Sequence, residues 1–250
     1  MTQEIKNRRP IRSRDTKWAN WLATKLKDKG ATPNDISLFS IICAEIAGIA
    51  FLLIFYYDNY WSSVLFLILA IIGIQARLVC NLLDGMVAIE GGLKSPVGPL
   101  YNEFPDRISD IIIFLGVGYG LWMFEWSAYL GWAAALCSVM TAYVRLLGGT
   151  CGLEQQFLGP MAKQQRMAVL TGGCALSVIL PFYGHWILYL CLWIVALGSL
   201  LTTIWRTYHI VITLNHQNKD NDVQYDNLQN GDNDEEIIRE DFPRITIDKL

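Results

Sequence analysis

Residues 61–110 read WSSVLFLILAIIGIQARLVCNLLDGMVAIEGGLKSPVGPLYNEFPDRISD. The first twenty are almost entirely apolar, the length an α-helix needs to cross the hydrocarbon core of a bilayer. In lipid the backbone must satisfy its own polar groups, so such a run is helical. Five more apolar segments of comparable length occur. The six predicted spans are residues 36–57, 61–80, 108–124, 127–147, 167–182 and 186–211. The second is expected to run on as helix to about Ala88, and the third to begin near Leu100. The fold class predicted is an all-α integral membrane protein with six transmembrane helices.

Composition agrees with this. Of 250 residues, 53% are hydrophobic and 17% charged, against about a quarter charged in soluble domains. Residues 1–34 hold nine Lys/Arg against three Asp/Glu, and residues 215–250 hold ten acids against four bases. The 180 positions between contain seven bases and ten acids. An ordinary cytosolic enzyme is excluded. No apolar h-region follows the N-terminal bases, so a signal peptide is not expected. The six cysteines have no C-x-x-C spacing and lie mostly in apolar stretches; they read as small buried hydrophobes, with neither a disulfide framework nor a zinc site expected.

Three regions follow: a basic cytoplasmic segment (1–34), a membrane domain (35–214) and an acidic tail (215–250) too polar to offset its ordering entropy. In the first, Trp18, Trp21, Leu22 and Leu26 fall at helical spacing among bases, predicting an amphipathic helix on an anionic membrane surface. The turns at residues 58–60, 125–126 and 183–185 contain no Lys or Arg and are flanked by Tyr and Trp. By the positive-inside rule both termini of this multi-pass protein are cytoplasmic.

Polar residues cluster where spans two and three meet the cytoplasm. Asn81 and Asp84 are at i,i+3 on one helix; Asn102, Asp106 and Asp110 are at i,i+4,i+8 on the next. Oxygen donors on two helices then converge on one spot, the chemistry that suits a hard cation such as Mg2+ or Mn2+. Gly85 lets a ligand approach the backbone, and Gly91, Gly92 and Gly98 interrupt the chain between the helices. A single Asp at a helix end reads as an ordinary interfacial charge; five oxygen-bearing side chains around a glycine do not. Deeper in the spans, Glu45 and Arg77 need partners, because unpaired charge at that depth is costly. The pairings open to them are Glu45 with Arg77 or Arg77 with Asp110.

The same stretch resembles the signature of the CDP-alcohol phosphotransferase (CDP-alcohol phosphatidyltransferase) family, D-x2-D-G-x2-A-R-x8-G-x3-D-x3-D. Asp84, Gly85, Ala88, Gly98 and Asp106 match at the required spacing. Asn81 and Asn102 stand at the first and third Asp positions, and Ile89 stands where Arg is expected. Thr32-Pro33-Asn34, the leading amphipathic helix and the six-span layout are also similar, so the resemblance covers residues 8–211. It implies a metal-dependent transfer of a phosphatidyl group from CDP-diacylglycerol, or a related CDP-alcohol, to an alcohol, with release of CMP. It further implies that Asn81, Asp84, Asn102 and Asp106 hold Mg2+ or Mn2+, with Asp106 as the base and Asp110 as a nearby substitute for lost charge. Gly85, Ala88 and Gly98 would line the substrate. Arg145, Lys163 and Arg166, on the loop between spans four and five and its flanks, suit phosphate, and equally suit positive-inside topology. Membrane lipid and a homodimer partner are expected, nucleic acid is not, and a bacterial inner membrane is the expected location. Loss of two Asp and one Arg keeps open a non-catalytic lipid- or nucleotide-binding protein that retains the fold.

Overall fold

The computed structural model describes residues 16–57, 59–90, 96–154 and 158–231. Gly91 and Gly92, the extreme N-terminus and the end of the acidic tail lie outside the described residues. Among those described, the chain forms seven α-helices and no strand. They are α1 Lys17–Asp28, α2 Pro33–Leu53, α3 Tyr60–Glu90, α4 Gly98–Gly120, α5 Ser127–Thr150, α6 Lys163–Ile179 and α7 Gly184–Gly231, with a short 3-10 turn at Pro181–Tyr183.

Local chemistry sets the starts that matter for the site. Thr32 caps α2: its hydroxyl accepts from the Asp35 amide at 3.2 Å while the Asp35 carboxylate accepts from the Thr32 amide at 3.2 Å. This reciprocal capping box, with Pro33 in the first turn, satisfies donors that a helix start otherwise leaves open. The 31 residues of α3 make a rod of about 46 Å at 1.5 Å per residue, well beyond a hydrocarbon core of about 30 Å. Its final third, carrying Asn81 and Asp84, therefore has length to spare beyond the apolar layer.

Helix α2 packs against both α3 and α4, α4 against α5, α3 against α6, and α1 against α3. The shared core contains Phe51, Ile54, Ile74, Ile113, Phe114, Val117, Met167, Leu170, Leu188 and Leu192. Backbones approach closely through glycine. A Cβ on Gly116 of α4 would fall onto the Gly48 carbonyl of α2, and one on Gly118 would lie 2.9 Å from the Cα of Gly131 in α5. Such contacts are what small residues permit between membrane helices. Accordingly, Gly116→Val is expected to destabilise the protein by at least about 1–3 kcal/mol through overpacking. Gly172→Ala, where an added Cβ meets nothing within 4 Å, should leave stability unchanged. Thermal unfolding of the two variants in detergent checks the contrast.

Large apolar side chains such as Leu38, Ile42, Ile49, Leu65, Ile72, Trp132 and Leu136 point outward, a surface suited to lipid and not to water. Among the described residues, four stretches are long and apolar enough to cross a membrane: Pro33–Leu53, Tyr60–Ile89, Ser127–Thr150 and Pro181–Gln217. Six were predicted. Helix α6 has only 17 residues, and α4 carries Asp106, Arg107 and Asp110 within its length. The chain is thus an integral membrane protein whose described residues are all-helical, with four such stretches among them.

In α1, Ala19 and Ala23 are buried in a cluster with Leu82, Leu83, Met86 and Val87 of α3, while Trp18 and Trp21 are exposed. The Lys25 ammonium sits 4.6 Å from the Trp21 ring centroid. The chain divides after Thr207 into two compact units. The helical residues of the second unit reach Gly231, through part of the acidic stretch whose composition predicts disorder.

Candidate active site

The polar cluster is assembled from five helices. Arg77, Asn81 and Asp84 come at i, i+4 and i+7 along α3, one face of the helix. Helix α4 supplies Glu103, Asp106, Arg107 and Asp110, with Ser37 from α2, Thr141 and Arg145 from α5, and Lys163 and Arg166 from the start of α6.

At its mouth, the Lys163 ammonium donates to Asn81 Oδ1 at 2.5 Å and to Asp106 Oδ2 at 2.5 Å. Asn81 itself is oriented by donating its amide to the Arg77 carbonyl at 3.3 Å. Asp84 is buried and accepts from the Ser37 hydroxyl at 2.7 Å and from the Gly85 amide at 2.5 Å. One turn deeper, Asp110 is fully buried between two guanidiniums: Arg77 Nη2 lies 2.7 Å from Oδ1, and Arg166 Nη2 lies 2.7 Å from Oδ2. Arg77 Nη2 also donates to the Asp106 carbonyl at 3.0 Å, tying the deep layer to the mouth. To one side, Glu103 accepts from Arg145 at 2.6 Å and from Arg107 at 2.7 Å.

Among the described residues, five bases (Arg77, Arg107, Arg145, Lys163, Arg166) thus face four acids (Asp84, Glu103, Asp106, Asp110), one positive charge more. Burial alone would push the Glu103 carboxyl up, but Arg145 and Arg107 outweigh it and hold it below the usual range. Burial pulls the Lys163 ammonium below its usual value, with Asp106 opposing. Buried charge is tolerated only when paired and hydrogen-bonded. In this cluster Asp106, Asp110 and Glu103 each have a cationic partner, whereas Asp84 is held by a hydroxyl and an amide.

The structure therefore brings together Asn81, Asp84, Asp106, Asp110, Lys163 and Arg166 of the residues predicted from sequence. Asn102 is exposed on α4. Ala88 is half-buried, and a Cβ at Gly98 would meet nothing within 4 Å. Two expectations change. Arg166 is 1% exposed, and its guanidinium donates to Asp110, Thr141 Oγ1 and the Met161 carbonyl; it is a clamp between helices, where a phosphate contact was expected. Arg145 is engaged by Glu103. Of the pairings open to Arg77, the one with Asp110 forms; Glu45 is exposed. Ser37, Glu103 and Arg107 are additions from the structure. The Glu103–Arg107 pair, at i,i+4, is readable from spacing, whereas nothing local marks Ser37, 47 residues from Asp84.

Among the described residues, no three His, Cys, Asp or Glu side chains gather as a metal-binding group. What remains is Asp84 without a cationic partner, beside Lys163 and Asp106, whose charges it feels. The oxygen donors at this level of the cluster are the Asp84 and Asp106 carboxylates and the Asn81 carbonyl.

No family model matches the chain. Inner membrane protein YnbA of Escherichia coli is 31% identical over 156 residues, 62% of this chain and 72% of that protein. Phosphatidylinositol phosphate synthase of Mycolicibacterium smegmatis is 25% identical over 191 residues, covering 72% of this chain and 78% of the relative. The synthase of Mycobacteroides abscessus is 24% identical over 211 residues, covering 79% and 86%. Among solved structures, Mycobacterium tuberculosis phosphatidylinositol phosphate synthase (PgsA1) with CDP-DAG bound superposes with a TM-score of 0.62 at 18% identity, over 78% of this chain and 94% of that one. The same enzyme with manganese and citrate gives 0.62 at 18% identity, over 77% and 88%. With the motif spacing intact along α3 and α4, the relatives and the shared fold agree: the chain belongs to the CDP-alcohol phosphatidyltransferase family of membrane enzymes.

Proposed function

We propose that this protein transfers a phosphatidyl group from CDP-diacylglycerol to an alcohol acceptor and releases CMP. The observation that carries this is the convergence of Asn81 on α3 and Asp106 on α4 on the Lys163 ammonium, with the buried Asp84 carboxylate one helical turn along α3 from Asn81. The relatives named as phosphatidylinositol phosphate synthases, and the neighbour with CDP-DAG bound, support the same reaction.

In this reading the acceptor hydroxyl oxygen attacks the phosphorus that carries diacylglycerol. The bond from that phosphorus to the bridging pyrophosphate oxygen breaks, and CMP leaves with the electron pair. Asp106, whose Oδ2 accepts from Lys163 and whose Oδ1 lies 3.6 Å from Arg77 Nη2, takes the hydroxyl proton; a base must reach the proton directly or through one water. The surplus positive charge of the cluster holds the pyrophosphate. Asp84, with oxygens of Asn102 and Asp106, would hold one Mg2+ or Mn2+, which when bound neutralises pyrophosphate charge. The manganese of the PgsA1 neighbour supports a divalent ion here. Gly85 and Gly98 leave room for substrate beside the carboxylates, with Ala88 a small neighbour.

The same reading has α4 and α6 crossing the bilayer with the other four, giving six spans, α1 lying on the cytoplasmic surface, and both termini cytoplasmic. Exposed Tyr56, Tyr57, Trp61, Trp122, Trp126 and Tyr183 at base-free turns support that orientation. A bacterial inner membrane fits the YnbA relative, and a homodimer is expected.

Thermal stabilisation by CMP or CDP-diacylglycerol, with and without Mn2+, tests the site without a guess about the acceptor. The expected result is a metal-dependent stabilisation that Asp84→Ala abolishes. No stabilisation at millimolar ligand and metal would leave the non-catalytic binding protein as the reading.

A further inference from the structure

We infer that Thr202 and Arg206 of α7 are positioning residues. They seat residues 158–161, the segment leading into α6, and so fix where α6 begins and where its first turn carries Lys163 and Arg166. The effect on turnover rests on the transfer reading of the site, whereas the seat itself is built from hydrogen bonds away from the carboxylates.

Helix α6 gets no help from its own N-cap. Ala162 stands there with extended backbone, φ −74° and ψ 169°, and makes no side-chain cap, so nothing local fixes the entry of the chain into the first turn. The hold comes from other helices. The Thr202 hydroxyl accepts from the Met161 amide at 2.9 Å while donating to the Gly198 carbonyl of α7 at 2.7 Å. On the other side of the same residue, the Met161 carbonyl accepts from Arg166 at 3.1 Å. Arg206 donates from Nε to the Leu158 carbonyl at 2.7 Å and from Nη1 to the Thr141 carbonyl of α5 at 2.6 Å. Thr141 also receives Arg166 on its hydroxyl at 3.1 Å. The segment is therefore tied to α5, α6 and α7 at once.

Shape agrees with the bonding. Gly159 has φ +111°, a conformation glycine adopts without a Cβ penalty, and a Cβ there would lie 2.5 Å from Thr202 Cγ2. From the other side, a Cβ on Gly198 would lie 2.7 Å from Met161 Cε. Thr202 is 0% and Arg206 4% exposed. Burying a guanidinium is costly unless it is hydrogen-bonded, and this one is turned onto backbone carbonyls of two other elements. A base placed this way sets geometry. Because a misplacement of about 1 Å can cost about 100-fold in rate, loosening the seat should act on turnover through the start of α6.

The test compares Thr202→Val with Thr202→Ser in the full-length protein in detergent. Thr203→Val is the control, since the Thr203 hydroxyl donates to the Ser199 carbonyl of its own helix. Amide hydrogen exchange of residues 158–166, read by mass spectrometry, is expected to quicken about tenfold in Thr202→Val, as one buried hydrogen bond is lost. CMP release per folded molecule is expected to fall about 10- to 100-fold. Thr202→Ser should restore both, and Thr203→Val should change neither. Unchanged exchange in Thr202→Val would overturn the seat. Faster exchange with an unchanged rate per folded molecule would make the contact structural alone and overturn the positioning role. If Thr202→Val does not fold, Arg206→Lys carries the same comparison, since lysine keeps the charge but cannot span the Leu158 and Thr141 carbonyls. Absence of CMP release from the wild-type chain would retire the transfer reading, while the exchange of residues 158–166 still decides whether α7 seats them.

Discussion

Replacing Asp106 by Asn is expected to cut CMP release from CDP-diacylglycerol about 100- to 10,000-fold, the range lost with a general base, while the protein stays folded. Asn has the same shape and its carbonyl can still accept from Lys163, but it cannot take the acceptor proton. The structural cost is modest because the Lys163 side chain is 24% exposed and gains water when its partner loses charge. Rate and thermal midpoint measured on one preparation separate the two effects. A folded Asp106→Asn protein with the wild-type rate would remove Asp106 from the role of base.

The second large effect is on stability. Asp110→Leu is expected to destabilise the protein by about 3–5 kcal/mol, the cost of stripping a buried charge of its partner. Arg77 and Arg166 are 0% and 1% exposed, so neither can turn to water, and Arg77 already has Nε and Nη1 without a partner among the described residues. The pairing also joins α3, α4 and α6, so its loss acts on three helices together. A double-mutant cycle with Arg166→Met, followed by unfolding in detergent, checks it. The double variant should lose less than the sum of the singles, because it leaves one fewer uncompensated charge; strictly additive losses would show that the two residues do not act as a pair.

Much of this was legible in the chain. The apolar run at residues 61–80 and its five counterparts specify membrane helices because hydrocarbon leaves the backbone no other partners. The i,i+3 and i,i+4 spacing of Asn81, Asp84, Asn102 and Asp106 places oxygens on helix faces because the helical period is fixed. The family signature is readable for the same reason: its spacing lies within one pair of adjacent helices and survives the two Asn. Arg166 shows where such reading stops. A base at the head of a cytoplasmic helix looks free to meet phosphate, and only its packing against α4 and α5 shows both of its terminal nitrogens engaged. Ser37 gives no local sign at all, since its partner lies on another helix.

What the sequence by itself determined, then, is the class of molecule and the faces of α3 and α4 that carry the oxygens, both consequences of local periodicity and of burial in lipid. Which cation meets which carboxylate across helices was decided only by tertiary structure. Lys163 lies 82 positions from Asn81 and 57 from Asp106, and the glycine contacts that let the helices close carry no charge or period to announce them. An ion pair between helices exists only where they bring its halves within about 4 Å, and that distance is a property of the packed bundle.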